Sequence, residues 1–331
     1  MTVALLIVLG LAVFFDYVNG FHDTANAIAT SVATRALRPS YAIAMATAFN
    51  FIGAFAGTAV AKTIGAGLVN DASTTEAIVA AALIGAIFWN LLTWRLGLPS
   101  SSSHALIGGL LGATIVGAGV SQLNLPGIWN KVIVPLVTSP IIGFTLALVL
   151  MVALYWIFRK ATRRPMTRGF RRLQVLSAGY MAFAHGSNDA QKTMGIITLA
   201  LVAEGVLPNA NTIPWEVIVI SATAISLGTA VGGWRIMHTM GHRVVDLEPV
   251  HGFAAETTGA TVIYGAALLG MPVSTTHVIS SSIMGVGSSK GTRGVRWGVA
   301  RSILIAWVLT IPATMLVGAA AWFVLNALGI K

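Results

Sequence analysis

Two aspartates, Asp23 and Asp189, stand 166 residues apart inside long apolar stretches. An ionisable side chain at the centre of a membrane helix costs about 2.5 to 3.5 kcal/mol, so a carboxylate kept there is read as part of a binding site or an ion path. Each is surrounded by groups that donate hydrogen bonds or exchange protons: Asn19, His22 and Asn26 around the first, and His185, Asn188, Gln191, Lys192 and Thr193 around the second. A structural role is the competing reading for Asp189, because Lys192 lies one helical turn away. It accounts less well for two aspartates in matching surroundings.

A second pair of segments has complementary chemistry. Leu98-Pro99-Ser100-Ser101-Ser102-Ser103-His104 is echoed by Met271-Pro272-Val273-Ser274-Thr275-Thr276-His277. Proline suits the first turn of a helix, hydroxyls cap its free N–H groups, and the helix N-terminus favours negative charge. Hydroxyls, amides and helix starts together suit a tetrahedral oxyanion. Near neutral pH phosphate still carries P–OH protons to donate to a carboxylate, whereas sulfate carries none, which favours phosphate. The residues read as substrate-binding are therefore Asp23, Asn26, Ser101, Ser102, Ser103, Asp189, Gln191, Lys192, Thr193, Ser274, Thr275 and Thr276. His22, Asp23, Asn188 and Asp189 are read as holding a co-transported cation, while His104 and His277, directly after the hydroxyl runs, are read as packed rings.

The elements that hold these groups must be membrane helices. Of 331 residues 56% are hydrophobic and only 9% charged, with mean hydropathy +0.83, which excludes a soluble enzyme, a disordered tail or a secreted domain. The apolar runs are roughly twenty residues long, enough to cross a hydrocarbon core of about 30 Å as helices rather than as the shorter strands of a barrel. The fold class is all-α, a polytopic membrane protein in the lipid bilayer of the cell's inner (plasma) membrane.

The net charge of +10 does not signal nucleic acid, because its placement is that of a topological marker. Seven basic residues and no acidic one lie between Arg159 and Arg172, as expected of a cytoplasmic loop. There is no cysteine, which rules out disulfides, thiolate metal sites and cysteine nucleophiles. No metal site and no cofactor are expected beyond a co-transported proton or sodium.

Stepping outward from that loop places Arg35 and Arg38 inside, the loops holding Asp71 with Glu76 and Gln122 with Asn124 outside, and both termini outside. It also puts Ser101 at the cytoplasmic side and Ser274 at the external side. Segments 1–34 and 173–204 are long and polar in the middle, and read as helices broken at Gly20 and Gly186, or as re-entrant hairpins. The total comes to about ten to twelve transmembrane segments. The shared blocks divide the chain into a first repeat (1–158), the basic loop (159–172) and a second repeat (173–331). With an odd number of crossings per repeat, the second copy sits upside down relative to the first, the plan of many secondary transporters.

The aspartate signatures and the two Pro-hydroxyl-His segments, each occurring twice in the same order, resemble the inorganic phosphate transporter (PiT) family over nearly the whole chain. The resemblance implies a secondary active transporter that imports inorganic phosphate by symport, and several members look dimeric, which puts a homodimer among the partners to test. Gly20-Phe21-His22-Asp23 stands where the sodium-coupled branch generally reads Gly-Ala-Asn-Asp, and Asn50 stands where that branch tends to carry Glu. Both departures resemble the bacterial low-affinity branch and point to proton symport, with sodium coupling as the alternative. Glu256 falls at an acidic position of the family's second half and joins the candidate cation ligands.

A sulfate or other oxyanion permease on the same scaffold is a second alternative. An intramembrane Ser-His-Asp hydrolase is disfavoured, because the Ser and His are adjacent in sequence and occur twice, as binding symmetry requires and a single catalytic centre does not. The chain is read as a transporter and not as an enzyme.

Overall fold

The computed structural model describes residues 2–70 and 73–330. Asp71, expected in an external loop, lies outside the described residues. The first half contains α1 (Val3–Ala33), α2 (Pro39–Gly53), α3 (Ala59–Ala66), α4 (Glu76–Leu96), α5 (Ser102–Gly117), the short α6 (Leu125–Ile128) and α7 (Val134–Ile157). The second contains α8 (Arg163–Ala203), α9 (Trp215–Val231), α10 (Trp234–His238), α11 (Pro249–Leu268), α12 (Thr275–Ser288) and α13 (Trp297–Ala327). Among the described residues the only β contact is one antiparallel bridge between Val69 and Leu123.

Four stretches are long and apolar enough to cross a membrane unaided: α1, α4, Leu125–Ile157 and α13. A fifth forms if α9 and Trp234–Arg243, bent by 61° at their break, count as one span. The outer helices α7 and α13 turn large apolar side chains outward, among them Val137, Ile141, Val149, Val308 and Leu316. Such a surface is stable against lipid and not against water. The chain is a membrane protein.

Packing repeats between the halves. α1 lies on α9 as α8 lies on α2, and α5 lies on α13 as α12 lies on α7. Helices at corresponding places in the two halves thus exchange partners.

The expected breaks at Gly20 and Gly186 are not there. α1 runs unbroken for 31 residues and α8 for 41, about 60 Å at 1.5 Å per residue. The two glycines serve packing instead. A Cβ at Gly20 would land on the Ile225 carbonyl oxygen of α9, and one at Gly186 on the Asn50 carbonyl oxygen of α2. The breaks fall instead between α2 and α3 and between α9 and α10.

A second correction concerns the hydroxyl segments. α5 and α12 have 16 and 14 residues, about 24 and 21 Å, which is short of a hydrocarbon core. Their starts meet: Ser103 Oγ donates to the Val273 carbonyl at 3.2 Å, and the rings of His104 and His277 stand 4.8 Å apart. Ser101 and Ser274 therefore cannot lie at opposite membrane faces. Each pair, α4 with α5 and α11 with α12, is a hairpin that turns inside the molecule. Local sequence writes that turn. Gly97 and Gly270 end the first arms at φ +66° and +65°, a left-handed conformation natural to glycine, and Ser101 and Ser274 cap the second arms by accepting from His104 N and His277 N, both at 3.1 Å.

The ends of the helices group as the charge pattern predicts. Thr2 donates to Glu204 at 2.9 Å and reaches Glu76 at 3.3 Å, and Asn70 N bonds Gln122 O at 2.9 Å. These are positions assigned to the external side. Arg296 pairs with Asp246 at 2.7 Å within the other, basic set of loops.

Candidate functional site

α1 and α8 bring the two aspartates together. Oxygens of Asp23 and Asp189 and a ring nitrogen of His185 all lie within 4.8 Å of one another, and all three residues are buried. Among the described residues this is the one such group of acidic and histidine side chains able to grip a cation. The helices run in opposite directions, because Asp16 on α1 stands beside Thr193 on α8, whereas Thr30 and Ser177, further along and further back, share Glu256.

The hairpin tips close over this centre. Ser102 Oγ donates to Asp23 Oδ2 at 3.2 Å, and Thr275 Oγ1 donates to Asp189 Oδ2 at 3.3 Å. These are equivalent positions of the two hydroxyl runs, so each carboxylate has a hydroxyl partner from the matching place. Asn26 Nδ2 reaches across to Thr276 Oγ1 at 2.9 Å and Thr275 Oγ1 at 3.3 Å. Lys192 Nζ, fully buried, donates to Asp189 Oδ1 at 2.5 Å.

Each aspartate also has a histidine, held differently. His22 Nδ1 lies 2.6 Å from Asp23 Oδ1, and Nε2 lies 3.0 Å from Thr93 Oγ1. Thr93 Oγ1 gives its proton to the Trp89 carbonyl at 2.8 Å and accepts from Ser100 at 2.8 Å. The imidazole thus bridges the Asp23 carboxylate and the Thr93 hydroxyl, and either ring nitrogen can carry the proton.

His185 Nδ1 lies 3.0 Å from Asn50 Oδ1, whose amide nitrogen donates to Thr229 at 2.8 Å. His185 Nε2 lies 3.3 Å from Asp189 Oδ2, so the ring stands between Asn50 and the second aspartate.

Other sequence candidates have different surroundings. Gln191 Oε1 accepts from Val60 N at 2.8 Å and Ala61 N at 3.4 Å, capping the start of α3, and its amide nitrogen donates to Ser187 O. Asn188 Nδ2 reaches the Met271 carbonyl at 3.4 Å, while its Oδ1 and Thr193 Oγ1 are buried without a hydrogen bond. Ser101 and Ser274 are occupied as helix caps and Ser103 as a link between hairpins. His277 stacks on Trp307 with centroids 3.9 Å apart, so the ring is packed, but its Nε2, like Nδ1 of His104, closes none of the hydrogen bonds expected of such a ring. Glu256 is seated away from the aspartate pair, accepting from Thr30 and Ser177 at 2.5 Å each and from Gln174 at 3.1 Å.

Comparison with known proteins agrees with this geometry. The sequence profile described as the Phosphate transporter family matches residues 19–318. The chain belongs to the phosphate transporter family. A "Probable low-affinity inorganic phosphate transporter" of Bacillus subtilis (strain 168) is 49% identical over 318 residues, 95% of each chain. A protein of the same description from Rhizobium meliloti (strain 1021) is 48% identical over 95% of this chain and 94% of its own. The solved structure titled "The sodium-dependent phosphate transporter" superposes with a TM-score of 0.86 at 26% identity, covering 98% of this chain and all of the other. As in these relatives, the role is transport rather than catalysis.

One residue of this family member escaped the sequence reading. Asp16 is fully buried on α1, and neither of its carboxylate oxygens closes a hydrogen bond. The signal was available: Asp16-Tyr17-Val18-Asn19 has the same Asp-x-x-Asn spacing as Asp23-Thr24-Ala25-Asn26, seven residues earlier and so on the same helix face.

Proposed function

We propose that this protein imports inorganic phosphate across the cell's inner membrane by proton symport, using two inverted repeats whose hairpin tips and aspartates form the substrate site. The observation that carries this reading is the facing pair Asp23 and Asp189, each bonded to a hydroxyl from a duplicated hairpin, with Lys192 as the one ammonium beside them. An anion entering between two carboxylates is repelled unless protons or cations come with it. Phosphate brings P–OH protons that a carboxylate accepts, and the serine and threonine hydroxyls that now donate to the aspartates are donors a phosphate oxygen can take over.

Energetics favours coupling over passive flow. Moving a divalent anion inward against 100 mV costs about 4.6 kcal/mol, twice the single-charge value. An imidazole in contact with each central aspartate, His22 with Asp23 and His185 with Asp189, supports a proton as the co-transported ion, and the group of Asp23, Asp189 and His185 offers a place for it or for sodium. The opposite courses of α1 and α8 and the exchange of helix partners between halves support the inverted repeat. Three crossings and one hairpin per half keep the number of crossings odd.

The test is uptake of labelled phosphate by proteoliposomes under separately imposed pH and sodium gradients. An acidic exterior at fixed sodium should drive accumulation, and a protonophore should collapse it. Accumulation that needs a sodium gradient and ignores the pH gradient overturns the proton assignment. Inhibition by sulfate as strong as by unlabelled phosphate overturns the substrate.

A further inference from the structure

Asp16, Asn19 and Thr193 lie outside the network that closes around Asp23 and Asp189. Asp16 is fully buried, and both carboxylate oxygens lack a hydrogen-bond partner, as do both amide atoms of Asn19 and the hydroxyl of Thr193. Asn19 and Thr193 are the polar side chains that stand beside the carboxylate, and the charges of Asp189 and Lys192 also act on it. Lys192, the buried ammonium of this region, is already committed to Asp189 at 2.5 Å. Asn19 and Thr193 stand near enough to act on the carboxylate, yet neither closes a hydrogen bond to it, and a carboxylate removed from water with no counter-charge of its own is unfavourable unless something neutralises it.

Duplication does not explain this carboxylate. At the offset of 166 residues that pairs Asp23 with Asp189, Asp16 corresponds to Ala182 and Asn19 to His185. A cradle for a symmetric anion has no need of an acid on one side alone. Along α1 the seven-residue spacing places Asp16, Asp23 and Thr30 on one face, and Thr30 binds Glu256. Acidic groups thus stand about two turns to either side of the central pair, some 10 Å apart along the helix. Such spacing suits successive stations for a cation.

We propose that Asp16, with oxygens from Asn19 and Thr193, binds a monovalent cation, either as sodium coordinated by these oxygens or as a proton on the carboxylate. One carboxylate with neutral oxygen donors matches a single positive charge, whereas a divalent ion calls for more carboxylates. The proposal rests on the transport reading and adds a cation station that the phosphate centre does not contain. Occupancy of the station licenses net movement, while phosphate itself is held at the centre.

The experiment compares two modes in the same proteoliposomes: gradient-driven net uptake, and exchange of labelled for unlabelled phosphate at equal concentrations on both sides. Asp16→Asn should lower net uptake by roughly tenfold or more and leave exchange within about threefold, the scale of a coupling energy between two sites. Asp16→Glu, which restores the charge, should recover net uptake. Loss under a sodium gradient alone identifies sodium as the ligand, and loss under a pH gradient alone identifies the proton. Exchange and net uptake that fall together, or that both stay unchanged, overturn the proposal.

Thr193→Val keeps the volume and removes one oxygen, and it keeps the question decidable if Asp16→Asn does not fold. It should raise the cation concentration for half-maximal uptake by a clearly larger factor than that for phosphate. A shift in phosphate instead places Thr193 in the phosphate cradle and overturns the station. Wild-type protein that takes up no phosphate under any gradient would sink the transport reading itself, a result that does not depend on Asp16.

Discussion

The rings of His104 and His277 meet edge to face with centroids 4.8 Å apart, although the two residues lie in different halves of the chain and each follows its own hydroxyl run. The contact fixes the depth of both hairpins relative to each other. It makes the starts of α5 and α12 a single structure at the heart of the molecule, where Ser102 and Thr275 can address the two aspartates together.

The hairpin contact predicts a cross-link. In a chain without cysteine, Ser103→Cys with Val273→Cys should be joined by oxidation or by a short bifunctional thiol reagent, because Ser103 Oγ lies 3.2 Å from the Val273 carbonyl. Segments at opposite membrane faces would be about 30 Å apart and could not be bridged. Absence of the cross-linked band in folded, detergent-purified protein would remove the hairpin arrangement.

Gly20 and Gly186 predict loss of stability by a packing route. Alanine at either position drives a methyl group into a neighbouring backbone carbonyl, so each variant should lose about 1–3 kcal/mol, the usual cost of overpacking. Gly10→Ala is the control, since nothing lies within 4 Å of a Cβ there. Thermal unfolding followed by fluorescence should show Gly20→Ala and Gly186→Ala melting below wild type and Gly10→Ala unchanged. Equal behaviour of the three would contradict the close helix approach.

What the sequence could and could not disclose divides along physical lines. Local chemistry was legible: the proline and hydroxyl runs read as helix starts and the paired aspartates mark the centre, but the turn at Gly97 and Gly270 that folds each arm back inside the molecule was not, because a helix start has the same local sequence at a membrane face. What a glycine in a helix does depends on which neighbour approaches it, so Gly20 and Gly186 looked like breaks when they are contact points. Likewise Gln191 stood among the signature residues, yet its amide caps α3, an element more than a hundred residues away. Asp16 was hidden in plain view, because its meaning comes from Thr193 on another helix and from the hydrogen bonds it lacks.

The two central aspartates should differ in what they cost. Asp23→Asn and Asp189→Asn each remove an acceptor of charge-assisted hydrogen bonds, and uptake should fall about a hundredfold, equivalent to about 3 kcal/mol. Asp189→Asn additionally leaves Lys192 buried without its partner, for which breaking a buried pair costs about 3–5 kcal/mol. Its melting temperature should drop well below that of Asp23→Asn, and the added change Lys192→Met should restore stability without restoring transport. Transport near wild type in either single variant would assign that aspartate to structure.

The last expectation concerns His22, whose ring links Asp23 at 2.6 Å to Thr93 at 3.0 Å. An imidazole can bind and release a proton, and its contact with Asp23 places that exchange beside the site proposed for phosphate. Asparagine can keep a hydrogen bond to Asp23 but cannot carry that proton. In wild type, uptake at fixed sodium should rise as the outside is made more acidic, because the proton moves inward with phosphate. His22→Asn should flatten this dependence while changing phosphate binding, measured by equilibrium dialysis, much less. A His22→Asn protein whose uptake still follows external pH as steeply as wild type would leave the imidazole as packing and move the proton elsewhere, with His185 the next group to change.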